Sequence, residues 1–316
     1  MFFNWDGHPL YLRLMFPFAG EFAALGTSVM FSIGATFFTL SSRQVGSAVV
    51  NRSRLLAATL ILMAAHLVLF GGLLPKLATT DQWFWFSLSG IIGLSLGDVA
   101  LFQAFVQVGT RLTMLVFSLS PVLAALMGWA FLNETLAPLQ ILGMGITLAG
   151  VLWVVSEEQT GNQDPVDRRY YLGGLFFALL GALGQAGGLV TAKFGLIGDL
   201  PVLSGQVIRL GVATLALWLF TLIRGKGRET ILKFREKPLA ARFALLGTVA
   251  GPVLGVWFSL AAVKYTEDIG VASTLQSLPP IFLLPIGYFF FKEKVTARSI
   301  LGTMIALAGV AILFLV

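Results

Sequence analysis

Apolar residues run along this chain in long stretches that are separated by short segments rich in charge, glycine and proline. Such stretches approach the roughly 20 residues that an α-helix needs to cross the hydrocarbon of a bilayer. The punctuation between them predicts ten membrane-spanning helices. Their predicted bounds are 20–41, 54–74, 83–108, 112–132, 138–156, 171–193, 201–223, 239–263, 269–290 and 297–316. The fold class is therefore an all-α polytopic membrane protein.

Composition supports this interpretation, because 57% of the 316 residues are hydrophobic and only 11% are charged. A soluble domain carries about 25% charged residues, so this apolar surface must face lipid. The chain has no cysteine and two histidines, which excludes a disulfide framework, a thiol nucleophile and a cysteine metal site. The N-terminal segment lacks the pattern of a cleaved signal peptide, so the first helix is expected to remain in the mature protein.

The positive charges are distributed unevenly between the two sets of loops. The loops after the odd-numbered helices, with the adjoining helix ends, hold sixteen Lys or Arg residues, and the opposite side holds four. Cytoplasmic loops carry the excess of Lys and Arg, which predicts a multi-pass protein of the cell (inner) membrane with both termini on the non-cytoplasmic side. The net charge of +6 is then an orientation signal and a contact for lipid headgroups. No basic and aromatic surface suggests nucleic-acid binding.

The chain repeats itself. Residues 141–151 read ILGMGITLAGV and residues 300–310 read ILGTMIALAGV, identical at eight of eleven positions with an offset of 159. An offset of 155 aligns the earlier helices and superposes Arg54 on Arg209. The predicted organisation is a first repeat at 1–156, a cytoplasmic linker at 157–170 and a second repeat at 171–316.

Each repeat holds five helices, an odd number, so the second copy is predicted to enter the membrane upside down. Two halves related by an axis in the membrane plane can exchange conformations and open a midplane site to each side in turn. This arrangement favours a carrier over a channel or a scaffold. The absence of long tails favours a monomer.

The run SLSPVLAALMGWAFLNETLAPLQILGMGITLAGV and its copy SLPPIFLLPIGYFFFKEKVTARSILGTMIALAGV resemble the paired EamA-type repeats of the drug/metabolite transporter superfamily. The preceding LGDVALFQAF is similar to the third-helix segment of that family. The resemblance covers nearly the whole chain and implies ten helices, a central cavity, and export or exchange of small metabolites.

Ionisable residues inside the membrane are costly and are therefore the first candidates for function. Asp98 lies within the third helix with no cationic residue one turn away, and is a candidate proton carrier or counter-charge for a substrate amino group. The offset of 159 pairs it with Trp257, so a polar and an aromatic side chain occupy equivalent positions. Gln185 and Gln276, with the adjacent Ser277, complete the predicted substrate site, although buried glutamines also serve helix association.

Two further residues have competing interpretations. His66, near the middle of the second helix, is a candidate for proton coupling, but a lone histidine is more often satisfied by packing. Arg209 lies about 12 Å into its helix and is a candidate contact for a carboxylate or phosphate. Snorkelling to the interface is the favoured alternative for Arg209.

Other conspicuous residues are interpreted as structural. Pro121 and Pro280 are expected to kink their helices, and Glu134 and Glu293 to favour the N-terminal ends of the helices that follow them. Glycines four apart are expected to let helices approach closely; they are Gly93 and Gly97 on the third helix and Gly247, Gly251 and Gly255 on the eighth.

No Ser-His-Asp arrangement, HExxH or GxxxxGK[ST] motif occurs, so we expect neither an enzyme nor a metal or cofactor, and transport without direct ATP hydrolysis. The leading hypothesis is a secondary transporter of small polar or amphipathic metabolites, amino-acid-like solutes favoured, with protons as a possible coupling ion. The alternatives are an exchanger of sugar phosphates or nucleotide sugars, which needs two or more cations in the cavity, and a non-transporting membrane scaffold with a dry, apolar centre.

Overall fold

The structure is a computed structural model that describes residues 18–315, apart from 133–134, 162–164, 198–199, 266–268 and 294. All regular elements in these ranges are helices. Ten of the helices are long and apolar enough to cross a membrane. Each overlaps one of the ten predicted spans, so the predicted fold class is confirmed.

The ten long helices are numbered α1 to α10 in chain order. A helix that is divided into two or three consecutive segments keeps a single number. Their bounds are α1 Ala19–Val45, α2 Ser47–Phe70, α3 Thr80–Ser89 with Gly90–Gly97 and Asp98–Gln107, α4 Gly109–Phe117 with Ser120–Leu132, α5 Pro138–Gly161, α6 Pro165–Gly195, α7 Val202–Ile223, α8 Pro238–Thr248 with Val249–Gly255 and Val256–Tyr265, α9 Ile269–Gln276 with Pro279–Phe291, and α10 Ala297–Leu315. Helix α5 runs past residue 156 and α6 begins before residue 171, so much of the predicted linker is helical.

A short polar helix, Gly227–Glu236, lies between α7 and α8. Lys233 pairs with Glu229 one turn away at 2.6 Å. The hydrogen bond from Lys233 holds the pKa of the Glu229 carboxyl below its ordinary value. This helix carries part of the basic cluster from which the orientation of the chain is predicted.

Helices α4 and α9 are interrupted at equivalent places. The break in α4 falls at residues 118–119 and the break in α9 at residues 277–278, each just before a proline. The offset between them is 159, as the sequence repeat predicts. The interruption of α9 leaves backbone carbonyls that can accept hydrogen bonds from other helices. The hydroxyl of Ser28 in α1, for example, donates to the carbonyl of Leu275 at 2.6 Å. Pro121 and Pro280 therefore interrupt their helices as expected.

Helices α3 and α8 each contain a π-helical segment, Gly90–Gly97 and Val249–Gly255. The two segments begin 159 residues apart, so they too occupy equivalent positions. A π-segment locally widens a helix and bends it, and such segments are frequent at functional sites. Both segments line the central cavity described below.

The glycine rows bring helices of the two halves into close contact. A Cβ on Gly97 of α3 would lie 3.1 Å from the Cα of Gly184 of α6. A Cβ on Gly34 of α1 would lie 3.0 Å from the backbone of Gly251 of α8. The predicted close packing at these glycines is confirmed. The glycines of α3 pack against α6, and those of α8 pack against α1, so each contact joins the first repeat to the second.

Helices α5 and α10 cross through equivalent glycines that exchange contacts. A Cβ on Gly143 would lie 2.8 Å from the carbonyl oxygen of Gly309, and a Cβ on Gly309 would lie 2.5 Å from that of Gly143. Gly150 and Gly302 approach one another in the same way. Such mutual contacts are what a two-fold relation between the halves produces. The inverted orientation of the second half remains a prediction from the odd number of helices.

Two glycines of α5 offer a matched test of this crossing. Gly150→Ala would place a Cβ 2.4 Å from the backbone nitrogen of Ala306, so α10 must move and the fold should lose about 1–3 kcal/mol. Gly145 has nothing within 4 Å of an added Cβ. Gly145→Ala should therefore gain about 0.5–1 kcal/mol from helix propensity alone. Thermal unfolding in detergent should move in opposite directions for the two variants; an equal shift would show that the crossing is loose.

Candidate functional site

A cavity of about 260 Å³ lies between helices of both repeats. Helices α1, α2, α3, α4, α6, α7 and α8 contribute to its lining. Its apolar walls are dominated by phenylalanine, namely Phe31, Phe38, Phe102, Phe105 and Phe117. Its polar lining residues are Arg54, Asp98, Gln185 and Gln206. A mostly apolar chamber with a few convergent polar groups is typical of a small-molecule site.

Asp98 is buried, and its carboxylate accepts a hydrogen bond from Nη2 of Arg54. The two side chains are only 11% and 10% exposed. The same guanidinium lies over the rings of Phe38 and Phe102, 5.6 and 5.0 Å from their centroids. It also donates to Oδ1 of Asn51 at 3.1 Å. The intramembrane carboxylate therefore has a cationic partner on a neighbouring helix, which the sequence interpretation of Asp98 did not include.

Arg209 turns inward. Its Nη1 donates to Oε1 of Gln206 at 3.0 Å, and its charge interacts with that of Asp98. Its Nε is buried without a hydrogen-bond partner. The side chain of Arg209 is therefore directed toward Gln206 and Asp98, and its role as an anion contact stays a prediction. Arg54, Asp98 and Arg209 form a charged cluster with two positive groups and one negative group.

Gln185 reaches the cavity from α6, as predicted. Asp98 lines the cavity as well, whereas Trp257, Gln276 and Ser277 lie elsewhere. Trp257 is 62% exposed and meets Phe258 edge-on, so it faces outward from the bundle. Gln276 accepts a hydrogen bond from Ser259 at 2.6 Å, and the Ser277 hydroxyl donates to the carbonyl of Ser273, one turn back in α9. Among the described residues none from α9 lines the cavity, whereas α2 and α7, which were not predicted, do.

His66 is also outside the cavity. Its Nδ1 is within hydrogen-bond distance of the carbonyl of Gly72, and its Nε2 lies 2.9 Å from the hydroxyl of Ser204. The ring packs against Phe70. Both ring nitrogens are thus engaged, which is the packing alternative raised for this histidine.

A second buried ion pair lies outside the cavity. Nε of Arg111, at the start of α4, donates to Oε2 of Glu293 at 3.0 Å, and Nη1 of Arg111 contacts the hydroxyl of Ser299. Gly109 has a φ of +80°, and an added Cβ there would lie 3.1 Å from Oε1 of Glu293. Glu293 therefore has a structural role, mediated by an ion pair. Its repeat equivalent, Glu134, lies outside the described residues.

Sequence reasoning missed Arg54 and Gln206 as site residues, although a signal for both was present. The offset of 155 that aligns Arg54 with Arg209 also aligns Asn51 with Gln206. Each arginine thus has an amide side chain three residues before it. No group of three or more His, Cys, Asp or Glu that could hold a metal ion occurs within the described ranges. The chemistry available to the cavity is recognition of charge and apolar surface.

The sequence profile of the EamA-like transporter family matches two stretches of the chain, residues 18–156 and 172–315. The chain belongs to the EamA-like transporter family. The two stretches fall within the two predicted repeats and leave the whole predicted linker, residues 157–170, between them. As a member of this family, the protein is a multi-pass membrane transporter of a small-molecule solute.

Individual relatives agree with the family. An uncharacterized transporter of Archaeoglobus fulgidus is 22% identical over 292 residues, which cover 92% of this chain and 96% of that protein. A second uncharacterized transporter of the same organism is 35% identical over 81 residues, or 26% of this chain and 28% of that protein. One solved crystal structure superposes with a TM-score of 0.59 at 16% identity, covering 93% of this chain and 94% of the other. That similarity shows the fold alone.

Proposed function

We propose that the protein is a secondary carrier of small amphipathic metabolites, with amino-acid-like solutes as its substrates. It resides in the cell membrane with both termini outside the cytoplasm and works as a monomer. The solute binds in the central cavity and is released after the two halves exchange conformations.

The observation that supports this proposal is the placement of opposite charges beside aromatic walls in one chamber. The Asp98 carboxylate is the counter-charge for an ammonium group, and Arg209 is the counter-charge for a carboxylate. The phenylalanines offer apolar surface to a side chain, and Gln185 supplies hydrogen bonds that fix its orientation. A volume of about 260 Å³ is just below the range of roughly 300–1,000 Å³ for drug-sized ligands, which favours small solutes.

Structural features that recur at equivalent positions of the two repeats support alternating access. The breaks in α4 and α9, the π-segments in α3 and α8, and the glycine crossing of α5 and α10 each occur in matching places. Two halves built alike can adopt one another's conformation, which moves the opening from one side of the cavity to the other. A scaffold protein has no need of a charged, buried chamber of this kind.

Exchange of phosphorylated or nucleotide-linked sugars is the second candidate function. The observation in its favour is the presence of two arginines in or beside the cavity, the number that such a substrate requires. However, Asp98 already neutralises one of these charges. A phosphate dianion would find an excess of only one positive charge, so the carboxylate-bearing class is favoured.

Counterflow in liposomes tests the proposal directly. The purified protein is reconstituted and screened against pooled amino acids, sugar phosphates and cationic drugs, with and without a pH gradient. We expect saturable flux for the amino-acid pool. Stimulation by the gradient would indicate proton coupling through Asp98. Flux for sugar phosphates alone would replace the favoured substrate class, and no flux in vesicles with correctly inserted protein would contradict the proposed function.

A further inference from the structure

The two repeats carry matching pairs of an arginine and an amide. In α2, Arg54 donates to Asn51, three residues earlier, at 3.1 Å. In α7, Arg209 donates to Gln206, also three residues earlier, at 3.0 Å. The offset of 155 superposes both members of one pair on the other. Each repeat therefore contains an equivalent pair in which an arginine donates to an amide side chain.

Helices α2 and α7 meet along equivalent residues. The hydroxyls of Thr59 and Thr214, which the same offset aligns, lie 2.8 Å apart and hydrogen-bond to one another. Leu55 and Ala58 pack in one cluster with their own equivalents, Leu210 and Ala213. Where equivalent residues of two helices contact one another, the axis that relates the two helices passes between them. The two arginine–amide pairs therefore lie on opposite sides of that axis.

The carboxylate, in contrast, is present once. The position equivalent to Asp98 is Trp257, which faces outward and carries no charge. In the conformation described here Asp98 forms a salt bridge with Arg54. Its interaction with Arg209 is electrostatic, without a hydrogen bond. The Nε atoms of Arg54 and Arg209 are both buried without a hydrogen-bond partner. The difference is that Arg54 forms a salt bridge, whereas Arg209 donates to Gln206 and forms no salt bridge with a described residue.

We propose that Asp98 is exchanged between the two equivalent arginines, pairing with Arg54 in this conformation and with Arg209 in the opposite one, and that the released arginine binds the carboxylate of the solute. The proposal rests on the proposed transport function and deepens it. When the two halves swap conformations, the environment of Arg54 becomes that of Arg209, and a single carboxylate can satisfy one of them. The carboxylate of the solute satisfies the other, so both guanidinium groups are paired in both conformations.

The exchange can be measured without knowing the solute, because the chain contains no cysteine and single reporters carry no background. Met114 and Val256 both line the cavity, near the start of α4 and in the second half of α8, respectively. Met114→Cys and Val256→Cys reporters are placed in nanodiscs, where both membrane faces meet solution. Their labelling rates with an impermeant maleimide report which end of the cavity is open.

Arg54→Gln and Arg209→Gln are expected to shift the ratio of the two labelling rates in opposite directions. Each leaves Asp98 a single partner and so favours one conformation, by about fivefold or more. Asp98→Asn should cancel both shifts. Arg111→Gln, which removes a buried arginine paired with Glu293, is the matched control, and its effect should persist in the Asp98→Asn background. Where a glutamine variant fails to fold, Arg→Lys at the same position should give a smaller shift of the same sign.

The outcomes separate the exchange from the transport function. Shifts of the same sign, or shifts that survive Asp98→Asn, would overturn the exchange. If the protein shows counterflow in liposomes, the transport function stands without it. Opposite shifts that Asp98→Asn cancels support the exchange even where no solute pool is carried, and that combination would count against the proposed function alone.

Discussion

Asp98→Asn is expected to abolish solute flux. The substitution keeps the shape of the side chain and one acceptor oxygen but removes the charge that faces Arg54 and Arg209. Loss of one partner of a buried charge pair costs about 2–5 kcal/mol. At 1.4 kcal/mol for each factor of ten, flux should fall by roughly 30-fold to several thousandfold. Initial rates of counterflow in liposomes measure this directly.

Stability must be measured beside flux, because Arg54 loses its ionised partner in this variant. An unpaired buried charge is destabilising, whereas a pair replaced as a whole is often tolerated. The double variant Asp98→Asn with Arg54→Gln should therefore recover thermal stability without recovering transport. Asp81→Asn, at the exposed start of the same helix, is the matched control and should retain flux. Wild-type transport by Asp98→Asn would remove Asp98 from the mechanism.

The helices could be predicted from the sequence because the bilayer sets their length. A run of roughly 20 apolar residues has few alternatives to a membrane helix, so all ten were found. The interruptions of α4 and α9 were predicted because proline cannot continue the hydrogen-bond ladder. The π-segments were not predicted, since their backbone pattern depends on packing around Gly93 and Gly251 and leaves no periodic signal.

The candidate site was predicted in part. Asp98 and Gln185 stood out because polar groups within an apolar helix must face a polar partner or a cavity. Trp257 was selected by the repeat offset, which gives equivalent positions but not the direction of a side chain. Gln276 was selected as a polar residue within an apolar helix, and its partner proved to be Ser259. A twofold-related site whose contents differ between halves can place one member inward and the other outward, as Asp98 and Trp257 do.

The cationic partners were the hardest to predict. Arg54 lies only a short distance from the start of its helix, where an arginine ordinarily reaches the interface. Its inward orientation depends on the rings of Phe38 and Phe102, which come from other helices. Contacts between distant parts of the chain are not encoded in local pattern. The repeat offset was the available signal, because Arg54 and Arg209 share both their type and their amide neighbour.

Arg111→Gln is expected to destabilise the fold by about 3 kcal/mol. The Arg111 side chain is 7% exposed and holds Glu293 at 3.0 Å, so its removal leaves a carboxylate without its cation next to the backbone of Gly109. The pair joins the start of α4 to the segment between α9 and α10. Reversible unfolding in mixed micelles, or the temperature of half-loss of the folded protein in detergent, measures the change.

The double variant Arg111→Gln with Glu293→Gln should recover most of that loss, because the uncompensated charge is then absent and the two amides can bond to one another. Lys233→Gln removes the cation of the exposed Glu229 pair and should cost less than about 1 kcal/mol. Equal losses in the buried and exposed pairs would contradict this role for Arg111. The position equivalent to Arg111 is Gly270, so the sequence repeat does not duplicate this arginine. Breaking the Arg111–Glu293 pair should destabilise its end of the bundle selectively in hydrogen exchange.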